Sequence, residues 1–220
     1  MHDPTPPLVL ASGSPRRREL LARLGLPFAV EVSDEAEEVD PTLPPGKLVL
    51  ALAERKARAV AARHAGGLMI GGDTVVAAGD DILGKPRDDA DAVAMLGRLS
   101  GRLHEVWTGL AVVDAATGKV ACQAVPSTLR FRSLSSRAIA AYVATGEGRD
   151  KAGAYAVQGT GRNLVEVLFG CWTNVVGLPL CEAAALLRRS GLTIPAAQPV
   201  CTRPDGSACP RLVAAEQHDS

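Results

Sequence analysis

Residues 8–24 read LVLASGSPRRRELLARL: a four-residue apolar run (8–11), a Ser-Gly-Ser-Pro break, and three arginines that open an amphipathic segment. The run has the length of a short buried strand. The break, followed by Leu20, Leu21, Leu24 and Leu26, predicts a helix that opens near Arg16 and ends at Gly25. Strand, small-residue turn and helix N-terminus in this order make an α/β unit. The first N–H groups of a helix have no intrahelical partner and carry the positive end of its dipole, so an anion is stabilised there. Arg16, Arg17 and Arg18 add full charges in a fork geometry that matches phosphate oxygens. Two readings stay open at this point. The stretch is a polyphosphate site, or Ser12 or Ser14 merely caps the helix, with Pro15 at its first position and the arginines on a solvated face.

Working outward, residues 28–33 (FAVEVS) predict a strand, and residues 34–40 (DEAEEVD) carry five acids in seven. Such a run is a solvated loop or a set of carboxylates suited to Mg²⁺ or Mn²⁺. Residues 47–64, rich in Ala and Leu without a breaker, predict a helix that buries Leu48, Leu52, Ala59 and Ala62, or Ala53 and Val60. Lys56 in its middle is either a wet surface lysine near Glu54 or a site cation. The next strand, LMIGGDTVVAA (68–78), is apolar but for Asp73 and Thr74. A lone carboxylate in such a run is costly to bury unless it is paired or on a metal, which singles out Asp73. Gly71 and Gly72 beside it allow close approach of a ligand or backbone. Residues 79–81 turn the chain, and 82–86 (ILGKP) return it with Lys85 fixed between Gly and Pro. A helix over 88–99, a hairpin of strands 103–114 and 119–131, a helix from Ser135 or Ser136 to about 144, a strand over 164–169 and a last helix opening at Pro179 follow. Mixed strands and helices with hairpins predict an α/β or α+β class with a mixed sheet.

Composition bounds the function. The 220 residues are 47% hydrophobic and 22% charged, with 24 basic and 24 acidic side chains. A net charge of zero gives no field to steer the molecule to nucleic acid or acidic lipid, so anion binding must be local. Neither a secretory pattern nor a ~20-residue apolar run is present, and a cytoplasmic protein is expected. The five cysteines are scattered without zinc spacing and are expected to be free thiols. Residues 1–7 are expected to be flexible. Residues 191–220 lose all periodicity and are expected to form a disordered tail.

Phosphoryl chemistry on a nucleoside triphosphate needs cations for the phosphates, carboxylates for a metal and a group that orients water. Arg16, Arg17, Lys56 and Lys85 are candidates for the first, and Glu37 and Asp73 for the rest. In the order ASGSPRRRELL, AERKA, GGDTVV, ILGKP, LSGRLHEVWTGLAVV, DKAGAYAVQG and NVVGLPL, the chain resembles the Maf family of nucleotide pyrophosphatases over about residues 8–187. The resemblance implies a mixed, strongly twisted sheet flanked by helices, like that of inosine triphosphate pyrophosphatases, in one domain over 8–190. It also implies a cytoplasmic homodimer that hydrolyses a nucleoside triphosphate to the monophosphate and pyrophosphate with a divalent metal, Mg²⁺ or Mn²⁺. Asp73 matches the family's catalytic proton acceptor. Ser12, Arg16, Glu37, Lys56 and Lys85 match its triphosphate and metal pocket, with Glu38 adjacent to Glu37 as the other possible metal ligand. Thr74 and Gln158, with Arg16, match positions tied to substrate choice.

Within the family, members acting on dTTP and UTP resemble this chain in the Gln of A-Y-x-x-Q-G, whereas those acting on 7-methyl-GTP carry x-E-G. The chemistry agrees. An amide offers a donor and an acceptor to the N3–H and carbonyls of uracil or thymine, whereas a carboxylate only accepts and so suits the donors of guanine. The expectation is dTTP and UTP, with modified pyrimidine triphosphates as a further class. The alternatives are a pyrophosphatase for 7-methyl-GTP or a deaminated purine, and a nucleotide-binding regulator of septum formation. Cys171-Trp172-Thr173 and Trp107 depart from the family's commoner residues and bear on fine specificity or oligomer contacts.

Overall fold

The computed structural model describes residues 7–33, 42–194 and 201. Its seven strands are β1 (Leu8–Ala11), β2 (Ala29–Val30), β3 (Leu68–Ala78), β4 (Asp81–Leu83), β5 (Leu103–Asp114), β6 (Val120–Phe131) and β7 (Val165–Phe169). They form one mixed sheet in the order β2-β1-β3-β5-β6-β7, with β4 paired to β3, and helices flank it. The expected α/β class is what forms. The chain divides into two compact units, the first holding the residues up to Asp73, Thr108–Val125 and those from Cys171, the second Thr74–Trp107 and Pro126–Gly170.

In the first unit β1 lies parallel to both neighbours, with Val9 opposite Ala29 and Met69, and Ala11 opposite Gly71. Its four residues are all buried, as an apolar run bounded by a turn requires. β2 is shorter than its sequence suggests: only Ala29 and Val30 pair, at the sheet edge, and both are exposed. Helix α1 (Pro15–Ala22) buries Leu20 and Leu21, and Gly25, at φ +70°, turns the chain after it. Helix α2 runs Pro45–Ala61, opening two residues earlier than expected because Pro45 suits a first helical position. Its inward face is Leu48, Val49, Leu52, Ala53, Ala57, Val60 and Ala61, while Ala62 is exposed. The core beneath it is built of small side chains, Ala53, Ala57 and Ala61 against Val9, Ala11, Met69, Ala111 and Val113.

That small core brings α2 unusually close to the sheet. A Cβ on Gly71 of β3 would stand 2.3 Å from the Ala53 carbonyl oxygen, and one on Gly109 of β5 2.1 Å from that of Val49. Only glycine admits a helix backbone at that distance. The unit is completed by α5 (Trp172–Val176) and α6 (Leu180–Arg189). The five residues of α5 are too few to show a helical period in the sequence. Cys171 caps it by accepting from the Asn174 N–H, and α6 buries Leu180, Ala183, Ala184, Leu186 and Leu187. Beyond it Leu192, Ile194 and Cys201 are also buried, Cys201 beside Cys171. Of the expected flexible terminus and tail, residues 1–6, 195–200 and 202–220 lie outside the described ones.

In the second unit β4 returns antiparallel to β3, Val76 opposite Leu83, through a turn at Gly79 with φ +64°. Helix α3 (Asp89–Leu99) is capped by the Asp88 carboxylate, which accepts from the Asp91 N–H, and α4 (Ser136–Ala144) is capped by Ser135. α3 packs against α4. β7 pairs antiparallel with β6 across a bulge at Arg130/Phe131. His104, Phe131 and Tyr155 meet edge to face, with ring centroids 4.8 to 5.5 Å apart. Short 3₁₀ segments at Ala152–Ala154 and Gly159–Leu164 flank the stretch that carries Gln158.

Candidate functional site

The turn after β1 bears out the capping part of the alternative, through Ser14, but not a solvated face for all three arginines. Ser14 caps α1, its Oγ accepting from the Arg17 N–H at 3.4 Å, with Pro15 at the first helical position. The Arg17 side chain is not a solvated face. Its Nε donates to the Gly177 carbonyl oxygen at 2.9 Å and its Nη1 to Ser12 Oγ at 3.1 Å. Ser12 is buried and also accepts from the Ser14 N–H. The guanidinium is therefore held in one orientation beside a helix N-terminus, where both dipole and charge favour an anion. Arg16 is half-buried and Arg18 exposed.

Glycine makes the lane in which that guanidinium lies. A Cβ on Gly72 would sit 3.3 Å from Arg17 Nε, so a larger residue there would press on it. The carbonyl that holds Arg17 is itself fixed. Gly177, at φ +122°, donates its N–H to the Thr173 and Asn174 carbonyls that close α5, and the fully buried Thr108 hydroxyl donates to the Asn174 carbonyl oxygen at 3.0 Å. Gly72, Thr108 and Gly177 were not singled out for this. NVVGLPL stands in the sequence as a family motif before the last helix, with no contact to Arg17 marked, because the partner of its carbonyl lies 160 residues away.

Next to Gly72 on β3 is Asp73. Its Oδ1 meets Lys56 Nζ at 2.5 Å, and both side chains are almost covered, at 12% and 13% relative exposure. The pair exists because Gly71 and Gly109 seat α2 on the sheet and so bring the middle of the helix down to β3. Glu54 pairs instead with Arg58, four residues on. In the first unit, then, Arg17 lies on the side of β3 to which a Gly72 Cβ would point, and the Lys56–Asp73 pair lies on the side toward α2.

The second unit carries Thr74, half-buried and following Asp73 on β3, Lys85, exposed in the turn after β4, and Gln158, exposed between the two 3₁₀ segments. The Gly84 carbonyl beside Lys85 accepts the Gly153 N–H at 3.0 Å, which ties the ILGKP stretch to DKAGAYAVQG. Glu37 and Glu38 lie outside the described residues. Among the described residues no three His, Cys, Asp or Glu side chains cluster to hold a metal ion, and no helix is long and apolar enough to cross a membrane. Burial holds the His104 imidazole down at about 4, so it is neutral, and pushes the Tyr155 phenol up, so it stays protonated. The two meet at 2.7 Å between His104 Nε2 and Tyr155 Oη.

The chain is thus an α/β protein with an oriented arginine at a helix N-terminus and a shielded ion pair between Lys56 of α2 and Asp73 of β3. Comparison with known proteins makes the class specific. The profile of the Maf family, described as Maf-like protein, matches residues 7–190, and the chain belongs to that family. It is 49% identical over 188 residues to the dTTP/UTP pyrophosphatase of Desulforamulus reducens, covering 86% of this chain and 98% of the relative. It is 51% identical over 184 residues to the dTTP/UTP pyrophosphatase of Geobacter metallireducens (84% and 96%) and 45% over 188 residues to that of Deinococcus radiodurans (86% and 95%).

Proposed function

We infer that this chain is a nucleoside triphosphate pyrophosphatase that hydrolyses dTTP and UTP to the monophosphate and pyrophosphate. Relatives of that name at about half identity over nearly their full length support the reaction, and the observation that carries the mechanism is the shielded Lys56–Asp73 pair, with Arg17 held against the neighbouring Gly72. The purine and septum-regulator alternatives are not favoured, since the relatives' names agree on dTTP and UTP.

In the mechanism we assign, water attacks the α-phosphorus, the α–β anhydride bond breaks, and pyrophosphate leaves. Asp73 accepts the proton of the attacking water. Lys56, on Oδ1, holds the carboxylate in place. Arg16 and Arg17 receive phosphate oxygens, with Ser12 orienting Arg17, and Lys85 offsets further charge on the triphosphate. Thr74 and Gln158 select the base. Mg²⁺ binds through one or two carboxylates and completes its shell with water and substrate phosphates, so a single strand carboxylate such as Asp73 fits that role. Asp73 would hold the cation, with Glu37 of the acidic stretch as the expected second ligand. When bound, the cation withdraws charge from the phosphate oxygens. The reading carries with it a domain over residues 8–190, a cytoplasmic location, a homodimer, no nucleic-acid partner, and modified pyrimidine triphosphates as further substrates.

The test is product analysis with dTTP and UTP in Mg²⁺ or Mn²⁺. The parent chain should give monophosphate and pyrophosphate in equal amounts, and Asp73→Asn should fall by at least about 100-fold in kcat while remaining folded. Release of diphosphate and orthophosphate, or full turnover by Asp73→Asn, would refute the assignment.

A further inference from the structure

The stretch that carries Gln158 is braced from both ends by side chains to which no role has been given. Upstream, the Tyr155 hydroxyl meets His104, and the Ala156 N–H donates to the Tyr142 hydroxyl at 3.0 Å. Downstream, the Glu147 carboxylate accepts the Thr160 N–H on Oε1 at 3.1 Å and the Gly161 N–H on Oε2 at 3.2 Å. The Thr160 hydroxyl adds a third donor, and together these hold the Glu147 carboxyl below its ordinary range. The fold leaves no slack between the braces. Gly159 stands at φ +63°, and a Cβ there would lie 2.8 Å from Glu147 Oε1. A Cβ on Gly161 would overlap the Ala156 carbonyl oxygen at 1.9 Å, so the chain between them doubles back on itself. Glu147 is itself anchored, its N–H donating to Thr145 Oγ1 at 3.2 Å, and the adjoining Gly148 packs against the Ala154 carbonyl. Between the braces Val157 is buried and Gln158 exposed, and the Gln158 amide makes no hydrogen bond to any described residue.

A backbone fixed by several hydrogen bonds, ending in an amide that no described residue engages, is how a selective polar contact is presented to a ligand. We propose that Glu147 is a specificity-positioning residue: by gathering the Thr160 and Gly161 N–H groups it fixes the backbone at Gln158, so that the amide meets a pyrimidine edge that pairs one N–H donor with flanking carbonyl acceptors. The proposal rests on the dTTP/UTP reading and on Gln158 as the residue that reads the base. Glu147 touches neither substrate nor reacting atoms, so its effect is on choice and affinity.

Its test is kcat and KM for pyrophosphate release from UTP, dTTP and CTP in the parent, Glu147→Ala, Glu147→Gln and Gln158→Ala chains, with thermal midpoints alongside. CTP is the informative competitor because cytosine places an acceptor where uracil has its N3–H. Glu147→Ala should raise KM for UTP and dTTP and lower the UTP-over-CTP preference by about 10-fold or more, with kcat changed little. Glu147→Gln keeps one acceptor and turns an NH₂ toward the second donor, so it should fall between. A preference unchanged in Glu147→Ala, or equal losses on UTP and CTP, would overturn the proposal and leave Glu147 a structural brace. If Glu147→Ala does not fold, Glu147→Gln decides: a lowered preference supports the proposal and a parental one overturns it. A parent chain that hydrolyses none of the three, or whose preference survives Gln158→Ala, overturns the underlying reading as well. A parental preference in the Glu147 variants with Gln158→Ala impaired removes the Glu147 role alone.

Discussion

At the scale of single residues, the weight falls on Asp73 and His104. Asp73 stood out in the sequence because a carboxylate in an apolar strand needs a partner, but the identity of that partner was ambiguous. Glu54 was the near candidate for Lys56, yet residues two apart on a helix point to different faces, and Glu54 instead meets Arg58 at the helical spacing of four. Removing the lysine charge with Lys56→Met should destabilise the fold by about 1 to 3 kcal/mol in urea denaturation, because it leaves Asp73 shielded without its cation. His104 makes a different prediction. Its folded value of about 4 lies below the ordinary 6.5 because burial disfavours the charged ring. Between those values the unfolded chain binds a proton that the folded one does not, so stability rises with pH across the window and is lost as pH falls from about 6.5 toward 4. The full difference is on the order of 3 kcal/mol. Urea midpoints taken from pH 7 to pH 4 should show this decline, and His104→Gln should flatten it. An unchanged slope in that variant would assign the acid sensitivity to other groups.

At the scale of elements, the decisive feature is how closely α2 lies on the sheet. The sequence marks the helix by its Ala and Leu content and the strand by its apolar run. It does not mark how closely the Ala53 and Val49 carbonyls approach Gly71 and Gly109, where an added Cβ would stand only 2.3 Å and 2.1 Å from them. Gly71→Ala or Gly109→Ala should push the helix outward, costing at least about 2 kcal/mol in stability, and should displace Lys56 from Asp73. Parental stability in both variants would mean that the helix can shift without penalty. The cap of α1 was legible as Ser12 or Ser14 followed by Pro15, since caps are local. Ser14→Ala should cost about 1 kcal/mol. The α5 turn and the Gly177 carbonyl that orients Arg17 were not legible, because a five-residue helix has no measurable period and the bond spans 160 residues. β2 shrank from six expected residues to two for a related reason: alternation in the sequence marks a strand only where neighbours exist to pair with it.

For the molecule as a whole, the ordered motifs carried more than any element did. A net charge of zero says only that anion binding must be local, and the first unit holds two shielded cations, Arg17 on Ser12 and Lys56 on Asp73. Thr74, Lys85 and Gln158 belong to the second unit, where the backbone bracing around Gln158 depends on glycines whose positive φ and close contacts only coordinates reveal. The family match over residues 7–190 takes in residues of both units. The measurement that tests this account most directly is pyrophosphate release across dTTP, UTP, CTP, 7-methyl-GTP and ITP, with Gln158→Glu beside the parent chain. The account predicts fast release from dTTP and UTP by the parent and loss of that preference in the variant. Fast release from 7-methyl-GTP or ITP with little from dTTP and UTP, or no release from any nucleotide that the chain binds, would contradict it.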